Sequence, residues 1–388
     1  MINVAVVGAG NISPSHMRGY LAFPNRCRIV ALCDVVPARA EAKTRDLGLK
    51  DVDVVDSHEK LLGRDDIDLV SVCTPPSSHA RVTIDLLRAG KNVVVEKPMA
   101  PSLTECDAMI VAARESRALL SVVAQNRFRD EVVILKDVVD SGLLGPVAHL
   151  SIDSAWWRGL PYYDLSWRGT WESEGGGPTL NHAIHHIDLL LWMMGEPQAV
   201  AAMMTNAWHD NAEVEDLSIA LLRYERALAQ LTSSVVHHGQ RQQILVEGQH
   251  ASVAQPWAVH AETAQPNGFP TPEGNGELVA QLEARRAERR PLAHTGHTGQ
   301  LDDVLSALET GREPAIGGAD GRRTIEVVTA IYQAAIEGRT VELPIRPDSA
   351  YYTGEGVLAN APRYFTKARS VDQLDGFITV GESGGAQT

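Results

Sequence analysis

The sequence predicts an α/β chain in two parts: an N-terminal doubly wound parallel sheet, then an α+β part around an open, mostly antiparallel sheet. Two observations predict the first part. Strand-like and helix-like segments alternate over about the first 130 residues, and the opening strand runs straight into a glycine loop. A third predicts the second part: after Phe128 strand-like stretches follow one another without intervening helices.

Met1-Ile2-Asn3-Val4-Ala5-Val6-Val7 is the first strand, followed by Gly8-Ala9-Gly10-Asn11-Ile12-Ser13. This is the G-x-G-x-x-G pattern with serine in the third place, where a small residue is needed between helix and strand. The first glycine permits the tight turn, the second lets backbone approach a pyrophosphate, and the helix that follows offers N–H groups to phosphate. The second strand, Arg28 to Cys33, ends in Asp34, 26 positions after Gly8. A carboxylate there suits both hydroxyls of an adenosine ribose and repels a 2′-phosphate, so NAD is expected rather than NADP, with Arg39 nearby as a cation that could host the phosphate. The third, Asp68 to Cys73, leads into Thr74-Pro75-Pro76-Ser77-Ser78-His79, whose prolines enforce an extended crossing of the strand tips. His79 reads equally as a helix-start residue without chemistry. Val93-Val94-Val95-Glu96-Lys97-Pro98 is a short β-branched strand that delivers a lysine at its carboxyl end, where ligands bind in such sheets. Leu119 to Ala124 is the last strand and ends in Gln125-Asn126-Arg127-Phe128.

Glu131 to Ser141 reads as a helix, and Val147–Ala155, Ala199–Asn206, Leu217–Tyr224, Ala227–Val236 and Arg241–Glu247 read as strands. Residues 255–277 read as a surface loop, Leu278 to Arg290 and Gly317 to Gly338 as helices, and Val341 to Pro344 as the closing strand. The expected division is 1–128 for dinucleotide binding, 129–345 for substrate binding and subunit association, and 346–388 as a tail with a disordered end at Gly381 to Thr388.

Composition excludes several classes. Net charge is −14 without a basic cluster, so nucleic acid and anionic membrane surfaces are poor partners. No apolar run approaches a membrane span and the N-terminus opens on a strand, so neither a signal peptide nor a membrane segment is expected. Cys27, Cys33, Cys73 and Cys106 lack metal-type spacing and read as buried thiols of a cytoplasmic protein.

Gly175-Gly176-Gly177-Pro178-Thr179-Leu180-Asn181-His182-Ala183-Ile184-His185-His186-Ile187-Asp188 is the densest chemistry in the chain. The glycines are expected to bring backbone close to a ligand. On one continuous helix Asn181, His185 and Asp188 would share a face, and His182 and His186 another. The His182/His186 pair has zinc-compatible spacing but no evident third ligand, so no metal is expected. His185 is suited to act as a general base near neutral pH, with Asn181 one turn earlier orienting it.

These motifs together resemble the glucose-fructose oxidoreductase / inositol dehydrogenase / MocA (Gfo/Idh/MocA) family of NAD(P)-dependent oxidoreductases. The similarity runs from the glycine loop through Thr74-Pro75-Pro76, Glu96-Lys97-Pro98, Gln125-Asn126-Arg127-Phe128, the triple-glycine segment and Val214-Glu215-Asp216 to Gly338, about 340 of the 388 residues. It implies a Rossmann domain followed by an α/β domain whose open sheet packs against another subunit, as a homodimer or homotetramer. It also implies that Lys97 and His185 are the catalytic pair. Many members carry aspartate where this chain has Asn181, which is neutral and can orient a group but cannot stabilise an imidazolium by charge.

Four tryptophans, two tyrosines and two arginines fall between Trp156 and Trp171. Aromatic faces stack on sugar C–H surfaces and arginines bind hydroxyls or carboxylates; the alternative is a core cluster. The stretch Trp167-Arg168-Gly169-Thr170-Trp171 is similar to one in family members acting on pyranosides and sugar acids. The expected cofactor contacts are Gly8, Gly10, Asn11, Ile12, Asp34, Thr74, Pro75, His79, Glu96, Lys97, Gln125 and Asn126. The expected catalytic residues are Lys97, His185 and Asn181. Substrate contacts are expected from these three and from Arg127, Arg158, Tyr163, Trp167, Arg168 and His182. The expected activity is NAD-dependent oxidation of a secondary hydroxyl of a sugar, sugar derivative or cyclitol. An NAD-retaining glycosidase and a non-catalytic sensor are the alternatives.

Overall fold

The computed structural model describes residues 1–372. Six parallel strands build the first sheet: β1 (Ile2–Val7), β2 (Cys27–Cys33), β3 (Asp53–Val55), β4 (Leu69–Val72), β5 (Asn92–Val95) and β6 (Leu120–Val122). Their order is β3-β2-β1-β4-β5-β6. Alternate residues of β1 enter separate apolar clusters, Val4 and Val6 in one, Ala5 and Val7 in the other. Both faces are therefore covered, which is why these strands are continuous apolar runs. The order reverses between β1 and β4, and at such a switch point the strand ends leave a crevice.

The second sheet has eight strands: β7 (Val147–Trp157), β8 (Ala199–Thr205), β9 (Leu217–Arg223), β10 (Leu228–Ser234), β11 (Val236–Gly248), β12 (Ser252–Gln255), β13 (Ala258–His260) and β14 (Val341–Glu342). Their order is β13-β12-β11-β7-β10-β9-β8-β14, antiparallel except for the β7/β10 pair. One face is packed by the helix Gly318–Glu337, which also touches the helix Leu103–Ser116 beside the first sheet. On the other face Met203 pairs with Ile219 and Leu228 with Arg223, leaving Met203 82% and Ile219 52% exposed.

Strands β3, β12 and β13 are absent from the sequence reading, β13 lying in the stretch expected as a surface loop, and two larger features also depart from it. The helix Gly296–Thr310 returns to the first sheet, where Leu301, Val304 and Leu305 pack with Val4, Met17 and Tyr20. Arg26 clamps it through Asp302 at 2.5 Å and Glu309 at 2.8 Å. The stretch from Arg346, expected as a tail, is structured over its described part: Tyr351 and Tyr352 are buried, and Gly354–Asn360 is helical. The reason is a polar anchor, with Tyr352 donating to Asp107 and accepting from Arg322. The end expected to be disordered lies outside the described residues.

Candidate active site

The glycine loop fits a dinucleotide. Gly8 adopts φ of +97°, and a Cβ there would lie 2.6 Å from the Cys73 carbonyl oxygen, so only glycine fits. Gly10 faces open space, with no atom within 4 Å of where its Cβ would be. Ser13 is buried and donates to the Gly10 carbonyl at 2.9 Å, which explains serine in the third position. Asn11 is exposed and Ile12 half-buried beside the loop. Asp34 follows β2 and accepts from the Ala9 and Val36 N–H groups, each at 2.8 Å. It thus braces the loop as well as closing the strand. Val35, next to it, is 83% exposed, an apolar surface at the strand end. Thr74 and Pro75 cross the tip of β4, and Gln125, whose Oε1 is buried without a partner, ends β6 with Asn126.

Two expected cofactor contacts are committed elsewhere. His79 is 1% exposed, its Nδ1 bonded to the Pro98 carbonyl and its Nε2 to that of Thr74, each at 2.8 Å. It staples two turns together and has no open face. Glu96 is buried as well. One of its oxygens is shared by His16 Nε2 at 2.8 Å and His297 Nε2 at 3.2 Å, and the other accepts from the Lys97 N–H. Burial alone would raise its pKa, but the two histidine bonds hold the carboxyl well below the usual range. His16 Nδ1 continues the chain to Ser71 and Tyr20. The three ligand atoms lie within 4.8 Å of one another, a spacing a divalent cation could use, and here they satisfy each other by hydrogen bonds.

Lys97 follows β5 and shares one cavity with His185, lined also by Met99, Ile184 and Thr324. Their meeting depends on a broken helix. The expected continuous helix is two pieces, Pro178–Asn181 and Ile184–Met194. The His182 and Ala183 N–H groups both bond the Pro178 carbonyl. The Asn181 carbonyl accepts instead from Lys97 Nζ at 3.0 Å. The Asn181 side chain does not orient His185: its amide donates back to the Gly176 carbonyl at 2.8 Å. Nor do the glycines make room for a ligand. A Cβ on Gly177 would fall 1.9 Å from the Glu215 carbonyl oxygen, so the requirement is internal packing.

The electrostatics suit proton transfer. Burial, then the Lys97 charge, holds His185 well below the usual imidazole range, and its ring makes no hydrogen bond to another described residue. Burial lowers Lys97 too, partly offset by Glu96. His186 is separate, bonded to Ser154 at 3.0 Å, so the zinc-like pair is not assembled.

The aromatic loop divides. Tyr163 (1% exposed) and Trp171 are core; Tyr163 packs edge-on against His209, so it is corrected from a substrate contact to a structural residue. Trp167, Arg158, Arg168 and His182 cluster around Tyr162, the accessible tyrosine that the sequence reading passed over. Arg127 is likewise corrected. Its guanidinium grips Asp188 at 2.7 and 2.9 Å and reaches Asp320 at 3.4 Å, tying the end of β6 to the histidine helix. An extended segment after Asn360 braces the loop from outside: Lys367 donates to the Tyr163 and Leu165 carbonyls, and Asn211 receives the Ala368 and Arg369 N–H groups.

Residues 2–124 match the model of the oxidoreductase family with NAD-binding Rossmann fold, and residues 132–254 match the GFO/IDH/MocA C-terminal domain. The chain belongs to the Gfo/Idh/MocA family. It is an NAD(P)-dependent oxidoreductase with an NAD-binding Rossmann fold. It is similar to the inositol 2-dehydrogenase of Rhizobium meliloti (strain 1021), 26% identical over 88% of this chain and 99% of that one. Likewise it is 28% identical to the scyllo-inositol 2-dehydrogenase (NADP(+)) IolW of Bacillus subtilis (strain 168), over 80% of this chain and 87% of that one. The WlbA dehydrogenase of Bordetella pertussis, solved with NADH and UDP-GlcNAcA, superposes with a TM-score of 0.77 at 26% identity. The match covers 89% of this chain and 98% of that structure.

The Asn181 amide can donate to the Gly176 carbonyl, which a carboxylate at that position could not do. Among the described residues no helix is long and apolar enough to cross a membrane.

Proposed function

We propose that the protein is an NAD-dependent dehydrogenase that oxidises a secondary hydroxyl of a sugar, sugar derivative or cyclitol. The observation that carries this reading is Lys97 beside an unpaired, neutral His185 in one cavity at the strand ends. His185 takes the hydroxyl proton. Lys97 Nζ, with N–H groups left beyond the one given to Asn181, stabilises the developing alkoxide. A bound nicotinamide supplies the acceptor for the hydride leaving carbon, so that the hydroxyl becomes a carbonyl. Gly8, Gly10, Asn11, Ile12, Thr74, Pro75, Gln125 and Asn126 hold the dinucleotide, and Asp34 favours NAD over NADP. Residues 1–128 bind the cofactor and residues 129–345 the sugar. The relatives' substrates, cyclitols and a nucleotide-linked sugar acid, support this class. The open face around Met203, Ile219, Leu221 and Leu228 supports association of two copies through the second sheet.

The test is a panel of sugars and cyclitols with NAD, following absorbance of the reduced nicotinamide. Net accumulation of reduced cofactor is expected with at least one of them. Product release without accumulation would mean transient oxidation, as in a glycosidase. Binding without either would leave only a sensor.

A further inference from the structure

Next to His182 the aromatic loop gathers a cationic cluster, in a chain whose net charge is −14. Tyr162 is its centre. The Arg168 guanidinium lies 4.2 Å from the Tyr162 ring centroid and 4.0 Å from that of Trp167. The Arg158 guanidinium approaches the same tyrosine at 5.6 Å and Trp156 at 5.4 Å. Tyr162 Oη meets His182 Nε2 at 3.4 Å, and the next residue back, Asn181, receives Lys97. Stacking on rings fixes both arginines and strips water from their faces, which strengthens any bond they make to an anion.

Of these cations only Arg168 has a carboxylate partner among the described residues. Glu174 meets Arg168 Nη1 at 2.7 Å and spends its second oxygen on the Gly169 N–H. Arg158 has only the Trp157 carbonyl at 2.7 Å and Gln240 Oε1 at 3.3 Å, with no carboxylate partner among the described residues. Lys97 has none either. Two buried polar atoms, Arg168 Nε and His182 Nδ1, lack any partner, so the polar shell is incomplete as it stands. A neutral sugar would meet these half-buried charges with hydroxyls alone, the less favourable arrangement. An oxyanion would complete the shell, and a forked guanidinium is built to take one.

We infer that the sugar bears an anionic oxygen group, a carboxylate or a phosphate, received by Arg158 and Arg168 while its reacting hydroxyl lies at Lys97 and His185. This rests on reading the cavity as the sugar site of a dehydrogenase.

The experiment pairs acidic and neutral sugars of one configuration: glucose, glucuronate and glucose 6-phosphate, then galactose and galacturonate. Each is titrated calorimetrically into the NAD-loaded protein and assayed for reduction of NAD. An acidic member is expected to bind at least about tenfold more tightly than its neutral partner, as loss of one charged pair warrants. Glucuronate against glucose 6-phosphate decides which oxyanion is meant. In Arg158→Gln the acidic-to-neutral ratio is expected to fall by about the same factor, while the unfolding temperature and NAD affinity report that the protein is intact. Equal or tighter binding of the neutral partners, no binding of any acidic member, or an unchanged ratio in Arg158→Gln, overturns the inference. Acidic binding without any redox change supports the anionic pocket and counts against the dehydrogenase reading instead.

Discussion

Replacing Lys97 with methionine isolates its charge, because methionine keeps much of the apolar stem. Lys97 Nζ donates to the Asn181 carbonyl at 3.0 Å and retains further N–H groups for an oxygen that gains charge as its proton leaves. Loss of one preorganised donor of this kind costs about one hundred- to one thousand-fold in kcat, or roughly 3–4 kcal/mol. A second effect has a definite sign. After burial, the Lys97 charge is the main influence holding His185 below the usual range. In Lys97→Met the imidazole pKa therefore rises. Because the base must be neutral to accept a proton, the acidic limb of kcat/KM for oxidation moves to higher pH. Stability moves the other way from activity. Burial lowers the lysine's own pKa, so the folded state carries a desolvation penalty at every pH below that value, fading only toward the ordinary lysine range. The variant should unfold at the same or a higher temperature. Steady-state rates across pH, NAD binding by fluorescence and thermal unfolding test the three parts. An acidic limb that stays in place, or NAD affinity lost in proportion to rate, would refute the assigned role.

Asp34→Ser should shift the ratio of kcat/KM for NADP over NAD upward, with some loss of both because Asp34 also braces Ala9 and Val36; a wild type that already prefers NADP would sink the assignment. Arg127→Gln leaves Asp188 buried without its partner, and denaturant unfolding should register a loss of about 3–5 kcal/mol. A variant of unchanged stability with raised sugar KM would restore Arg127 as a substrate contact. Glu215 is fully buried, and burial pushes its pKa up from 4.5 to about 7. Its neutral form thus favours folding below about pH 4.5, and that advantage is lost as pH rises through about 7, up to roughly 3 kcal/mol. Melting curves of wild type and Glu215→Gln should diverge over that window, the wild type losing ground at the alkaline end; parallel curves would count against it.

Five of the six strands of the first sheet are legible as β-branched or apolar runs, four of them soon followed by a glycine, aspartate or proline; the three-residue β3 is too short to leave such a signal. Lys97 was found that way. The broken helix was not, since His182 and Ala183 are neither glycine nor proline; the break is made by two N–H groups converging on the Pro178 carbonyl. Asn181 was consequently assigned to His185, when its side chain serves Gly176 and its carbonyl serves Lys97. Arg127 and Asp188 each looked available, and only their proximity in space removes them. The helix Gly296–Thr310 did leave a signal, Leu301, Val304, Leu305 and Leu308 at helical spacing. With it went His297, the residue that shares Glu96 with His16.

That helix changes how Lys97 and His185 are held. Lys97 hangs from the first sheet through β5, and His185 from the broken helix that packs on the second. Neither element alone sets the distance between them. Three attachments do: Lys97 to the Asn181 carbonyl, Arg127 to Asp188, and the returning helix to Glu96 through His297 and to Arg26 through Asp302 and Glu309. The first is a single hydrogen bond in a half-buried setting. The second is buried and bidentate, which makes it rigid. The third engages Glu96, next to Lys97 in sequence, with two histidines, so that no carboxylate ion-pairs with the lysine among the described residues. Two sets of ion pairs and one Lys97 hydrogen bond therefore tie these elements together, and of Lys97 and His185 only the histidine keeps its ring without a hydrogen-bonded partner among the described residues.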